Sequence, residues 1–154
     1  MLEGSKLTAA DVMTRDVVTV FPYTSLRYVA KLLAERKISG VPVVDDDRHV
    51  VGIVSENDLL QWSDAPPEQQ AWWLNMLAEG FELSPDFLDV VQSDREMVRR
   101  VMKTDIATVT ADTPLAEIAK LISTKGIKRV PVVRDGTLVG IVSRADLVRA
   151  LASS

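Results

Sequence analysis

The sequence predicts an α/β (α+β) fold: two βαββα repeats related by pseudo-two-fold symmetry, with an inserted helical segment between them. Three observations carry this expectation. Val12–Val44 lies over Val101–Val133 at an offset of 89 residues with 15 of 33 positions identical, and Val51–Leu60 lies over Val139–Val148 with seven of ten identical. Within each copy, short β-branched runs flank one stretch of helical periodicity. The stretch between the copies has a different composition and holds all three tryptophans.

The elements follow in order, twice. Val17–Val20 and Ile106–Val109 are short β-branched runs and are expected as strands. Leu26, Val29, Ala30 and Leu33 recur at i, i+3, i+4 and i+7, as do Leu115, Ile118, Ala119 and Ile122, so each set marks the apolar face of an amphipathic helix. Val41–Val44 and Val130–Val133 are fully apolar strands. They lead into turn residues, Asp45-Asp46-Asp47 and Asp135-Gly136, and then into return strands, Val50–Val54 and Leu138–Val142. Ser55 and Ser143 open a last helix as N-caps. Asp58 and Asp146, three residues on, complete a capping box in which the hydroxyl serves a free N–H and the carboxylate reaches back. The organisation is therefore repeat 1 at 8–61, a helical insertion at 62–97 and repeat 2 at 98–151.

Composition excludes several function classes. The 22 acidic and 18 basic residues give a net charge of -4, which disfavours nucleic acid as the main partner. Cysteine is absent, so disulfides, thiolate metal sites and cysteine nucleophiles are excluded. The single histidine, His49, cannot build a multi-histidine metal site. It lies in the turn with Asp45–Asp47, which is read as solvated because it lacks the glycine and glutamate spacing of a calcium loop. No apolar run approaches the length of a membrane span, and a cytoplasmic protein is expected. Residues 62–99 carry eight acidic and two basic side chains, yet crowd Trp72, Trp73, Leu74, Met76, Leu77, Phe87 and Leu88 together. Helices around 67–80 and 85–99 are expected there, buried against the module or a second copy.

The segments Ser39-Gly40-Val41-Pro42-Val43-Val44 and Gly52-Ile53-Val54-Ser55-Glu56-Asn57-Asp58 resemble the CBS-domain family. So do Arg129-Val130-Pro131-Val132-Val133 and Gly140-Ile141-Val142-Ser143-Arg144-Ala145-Asp146, led by Asp11-Val12-Met13-Thr14 and Val101-Met102-Lys103-Thr104. Two such motifs in tandem look like a Bateman module, and the Trp-Trp-Leu stretch is similar to one between the repeats of bacterial members. The resemblance implies a homodimer of four repeats that binds an adenosyl ligand of the AMP, ATP, NAD or S-adenosylmethionine class in clefts between repeats. It implies one site from Val17, Ser39, Gly40, Val41 and Pro42 with Ser143 and Asp146. A second would combine Ile106, Lys128, Arg129, Val130 and Pro131 with Ser55 and Asp58.

The residues themselves suit these roles. A carboxylate accepts two hydrogen bonds from vicinal hydroxyls, so Asp58 and Asp146 fit a ribose diol, and a helix N-terminus fits a phosphate. The copies differ in charge: Lys128-Arg129 replaces Ser39-Gly40, and Arg144 replaces Glu56. Arginine favours bidentate phosphate contacts, so phosphate is expected on the second repeat's side. No poised nucleophile–base pair is visible, and catalytic and metal residues are expected to be none. The expectation is a non-catalytic sensor with no required cofactor, an adenine-nucleotide ligand and a protein output partner. The alternatives are a ligand-free dimerisation scaffold, in which the capping boxes are structural only, and the regulatory part of a larger enzyme or transporter.

Overall fold

The computed structural model describes residues 6–62 and 97–153. The helices expected at 67–80 and 85–99 therefore fall, up to residue 96, outside the described residues, as do Trp72 and Trp73. The described elements are α1 (Ala9–Val12), α2 (Leu26–Arg36), β1 (Gly40–Val44), β2 (Val50–Ser55) and α3 (Glu56–Trp62). A 3-10 turn at Val98–Arg100 precedes α4 (Leu115–Lys125), β3 (Arg129–Arg134), β4 (Thr137–Ser143) and α5 (Arg144–Ser153).

The helices form where the apolar period places them. In α2, Leu26, Val29, Ala30, Leu32 and Leu33 are buried, and Ser25 caps the N-terminus by accepting the Tyr28 N–H at 3.2 Å. In α4 the buried set is Leu115, Ile118 and Ile122. Both helices end on a left-handed residue, Lys37 at φ 55° and Gly126 at φ 63°.

Two compact units result, and each borrows a segment from the other repeat. One joins β3, β4, α4 and α5 to the described residues up to 18 and to 47–50; the other joins β1, most of β2, α2 and α3 to the residues leading into the second repeat, up to 105. Thr14 and Ile141 exchange two backbone bonds, 2.9 and 3.0 Å, along the outer edge of β4. At the corresponding edge of β2, Lys103 and Ile53 exchange bonds of 2.8 and 2.9 Å. These bridges cover backbone groups that an exposed sheet edge would otherwise present for aggregation.

The two runs expected as first strands, Val17–Val20 and Ile106–Val109, shrink to one parallel bridge each, Val20 with Val43 and Val109 with Val132. Proline chemistry explains this. The Val20 N–H donates to the Pro42 carbonyl at 3.2 Å and the Val44 N–H to Val20 at 2.9 Å, but the next donor along the segment would be Pro22, which has none. In the second repeat Val109 donates to Pro131 at 3.0 Å and accepts from Val133 at 2.8 Å. The imide nitrogen of Pro131 therefore faces this side, where the preceding ladder bond would need a donor, and not β4, so β3 tolerates a proline opposite Ile141. Beyond the bridges both chains turn, with the Thr24 N–H on Phe21 and the Thr113 N–H on Thr110.

The first unit's core contains Ala9, Met13, Val109, Leu115, Ile118, Ile122, Val130, Val132, Val142, Leu147 and Ala150. In the other unit Val20, Leu26, Val29, Val41, Val43, Val44, Val54, Leu59 and Val98 are buried. The predicted apolar strands thus supply the cores. In β3–β4 the register runs from Arg129 opposite Ser143 to Arg134 opposite Thr137, with a bulge between Val132 and Val133.

Candidate functional site

The two Ser-x-x-Asp turns stand at the ends of β2 and β4, where each strand passes directly into a helix. In the first, the Ser55 N–H donates to Asp58 Oδ2 at 2.9 Å, the Ser55 hydroxyl lies 3.0 Å from the same oxygen, and the Asp58 N–H reaches Ser55 Oγ at 3.4 Å. In the second, the Ser143 N–H donates to Asp146 Oδ2 at 2.8 Å and the Asp146 N–H reaches Ser143 Oγ at 3.2 Å. Both expected capping boxes are present. Each carboxylate is 4% exposed, and these two are the buried charged residues among those described.

The second oxygen of each carboxylate meets a cation that the sequence reading did not single out. Lys103 Nζ lies 3.6 Å from Asp58 Oδ1, and Arg149 pairs with Asp146 Oδ1 from one turn along α5. A buried carboxylate without such compensation is costly, and each pair supplies that compensation at the oxygen that the serine N–H does not occupy. The signal was present in the repeat alignment. Lys103 aligns with Thr14 and Arg149 with Gln61, so each copy keeps one cation at a different place.

The remaining predicted residues line the starts of β1 and β3. Ser39 is half-buried, Gly40, Val41 and Pro42 are buried, and the Ser39 carbonyl accepts the Glu56 N–H at 2.9 Å. In the second repeat Lys128 is exposed, Arg129 half-buried, Val130 and Pro131 buried, and the Lys128 carbonyl accepts the Arg144 N–H at 2.9 Å. The structure therefore brings the strand start and the Ser/Asp turn of the same repeat into direct backbone contact. It also places Lys128 and Arg129 at the strand start and Arg144 at the adjoining helix start, where the other repeat has Ser39, Gly40 and Glu56. Val17 and Ile106 are half-buried, just ahead of the bridging valines.

Two other features lie apart from the Ser/Asp turns. The β1–β2 turn holds Asp45, Asp47 and His49 with one potential ligand atom each within 4.8 Å, Asp47 and His49 being exposed. A cavity of about 360 Å³ lies between α4 and α5, lined by Ile122, Ile127, Leu147, Val148 and Leu151 with Arg144 at its margin. Val148 and Leu151 are 63% and 45% exposed.

The family CBS domain matches the sequence twice, over residues 9–65 and 98–153. The chain belongs to the CBS-domain family. Its two CBS repeats are accompanied along nearly the whole length by relatives. The uncharacterized protein MJ1426 of Methanocaldococcus jannaschii is 33% identical, with 97% of this chain and 94% of that protein covered. The chloroplastic CBS domain-containing protein CBSX2 of Arabidopsis thaliana is 32% identical over 93% of this chain and 63% of its own length. The crystal structure of CBSX2 in complex with AMP matches with a TM-score of 0.73 and 31% identity, covering 96% of this chain and 97% of that one. The CBS domain pair of protein MJ0100, solved with methylthioadenosine and S-adenosylmethionine, matches at a TM-score of 0.70 and 23% identity over 97% and 98% of the two chains, a likeness of fold. Among the described residues no helix is long and apolar enough to cross a membrane.

Proposed function

We propose that this CBS pair is a non-catalytic regulatory module that binds an adenosyl ligand and signals through a change of shape or partner affinity. The observation that carries the reading is the repeated Ser/Asp turn: two carboxylates, each 4% exposed, at the mouths of helices, in a chain 31% identical to a protein solved with AMP. Asp58 and Asp146 accept the ribose diol. Backbone groups near Val17 and Ile106 and the starts of β1 and β3, from Ser39 to Pro42 and Arg129 to Pro131, hold the base. Lys128, Arg129 and Arg144 take phosphate, which favours the nucleotide class over an uncharged nucleoside. No cofactor is required for this role, and the output partner is a protein. The expected compartment is the cytoplasm.

Thermal unfolding with AMP, ATP, NAD and S-adenosylmethionine tests the reading. A ligand at a hundred times its dissociation constant adds about 2.7 kcal/mol to stability. Failure of all four to move the transition would overturn it.

The homodimer is part of the same proposal. The apolar groove between α4 and α5, with Val148 and Leu151 beside it, is a face that a second copy would cover. A monomeric mass by light scattering would remove this part. The rival reading, a scaffold that binds no ligand, draws support from the capping boxes, which are complete with protein groups alone. The thermal-shift experiment separates the two.

A further inference from the structure

We propose that Lys103 and Arg149 are specificity-determining residues of this CBS pair. Each neutralises the oxygen of its aspartate that a ribose diol would use, and each turns its charge to the ligand's phosphate once the diol has taken that oxygen. The inference rests on the adenosyl reading above and adds a residue-level reason for preferring an anionic nucleotide.

Oδ2 of Asp58 and of Asp146 is committed to the N–H of its own serine at 2.9 and 2.8 Å. Oδ1 is what remains for a ligand, and there stand Lys103 Nζ at 3.6 Å and the Arg149 guanidinium. The carboxylates are 3% and 4% exposed as side chains, whereas Lys103 and Arg149 are 63% and 71% exposed. The cation is therefore the partner that can swing away. Hydroxyl donors of a diol compensate the buried carboxylate in its place, and the released ammonium or guanidinium is left beside the ribose. A phosphate on that ribose gains a charge-assisted partner, an uncharged nucleoside gains none, and a sulfonium is repelled.

The duplication supplies a control inside one chain. In one unit the cation comes across the sheet edge, from the lysine paired with Ile53; in the other it comes from α5, three residues after the aspartate. The equivalent positions, Thr14 paired with Ile141 and Gln61 three residues after Asp58, are uncharged. The position of the charge has changed between the copies and its presence has not. The structure thus also identifies where a relocated charge would work.

The test is titration calorimetry of the full chain with AMP and with adenosine. It compares the wild type, Lys103→Gln, Arg149→Gln, and the relocation variants Lys103→Gln/Gln61→Arg and Arg149→Gln/Thr14→Lys. Each single variant is expected to lower the preference for AMP over adenosine by about tenfold at one site, the scale of a charged hydrogen bond, with adenosine binding retained. Each relocation is expected to restore the preference. An unchanged preference in both single variants, or a loss that neither relocation repairs, overturns the proposal while wild-type AMP binding keeps the adenosyl reading standing. A wild type that binds neither ligand overturns the adenosyl reading and this proposal with it. If a neutral variant fails to fold, the relocation variants and the charge-keeping Lys103→Arg carry the same comparison. A preference lost in Lys103→Gln/Gln61→Arg or Lys103→Arg would then count against the proposal.

Discussion

Met13 lies against Gly140 so closely that a Cβ on the glycine would stand 2.5 Å from the methionine Sδ and 3.1 Å from the Thr14 carbonyl oxygen. The pair is repeated. A Cβ on Gly52 would stand 2.8 Å from the Lys103 carbonyl oxygen and 2.9 Å from Met102 Sδ. These contacts explain why Met and Gly recur together in the two halves of the sequence: the bridging segment can pair with the strand edge only where the strand has no side chain.

The two glycines are predicted to respond differently to alanine. At Gly140 the nearest obstacle is the end of a flexible side chain, whereas at Gly52 it is a backbone oxygen held in the Ile53–Lys103 bridge. Gly52→Ala is expected to cost more, with both substitutions in the range of about 1–3 kcal/mol for overpacking. Met13→Ala should relieve much of the Gly140→Ala penalty, and Met102→Ala little of that at Gly52. Urea unfolding of the four variants decides it; equal relief at both sites would contradict the backbone explanation.

Lys37 and Gly126 end equivalent helices in the same left-handed conformation, φ 55° and 63°. A Cβ on Gly126 would touch nothing within 4 Å, so only backbone conformation separates the two residues. Lys37→Gly is therefore expected to stabilise the protein and Gly126→Ala to destabilise it, each by up to about 1 kcal/mol. Thermal or urea unfolding in which both changes shift stability the same way would refute the argument.

Arg129→Ala is predicted to weaken AMP far more than adenosine, by about ten- to a hundredfold for AMP if a well-formed charged hydrogen bond is lost. Arg129 stands opposite Ser143 in the ladder, at the head of the second Ser/Asp turn. Equal losses for the two ligands by calorimetry would take the phosphate away from Arg129.

Tyr23 and Asp46 make a pH-dependent contact. The phenol donates to Asp46 Oδ1 at 3.1 Å, and desolvation followed by this carboxylate raises the Tyr23 pKa above its ordinary value of 10.0. A raised folded-state value means that this contribution is present below the unfolded pKa and is lost as pH rises through the folded one. Asp46→Asn should bring the ionisation down toward the ordinary value, read as tyrosinate absorbance in a Tyr28→Phe background. No movement would show that the carboxylate does not act on the phenol.

Much of this molecule is written locally. The duplication, the apolar faces of α2 and α4, both hairpins and both capping boxes follow from spacing within a few residues, because helical period, strand run and N-cap chemistry are near-neighbour properties. Asp58 and Asp146 could be named for the same reason. Tertiary pairing decided the rest. The Val17–Val20 and Ile106–Val109 runs have strand composition, but the length of a strand depends on its partner's donors, and prolines remove them. Met13 and Met102 recur in the sequence as matched residues, but only the fold sets them against Gly140 and Gly52. Arg149, one helical turn after Asp146 on the same helix, belongs with the local features. Lys103 became visible as the counter-ion of Asp58 only when the β2 edge had been paired, since a buried charge selects whichever cation the folded chain brings within reach.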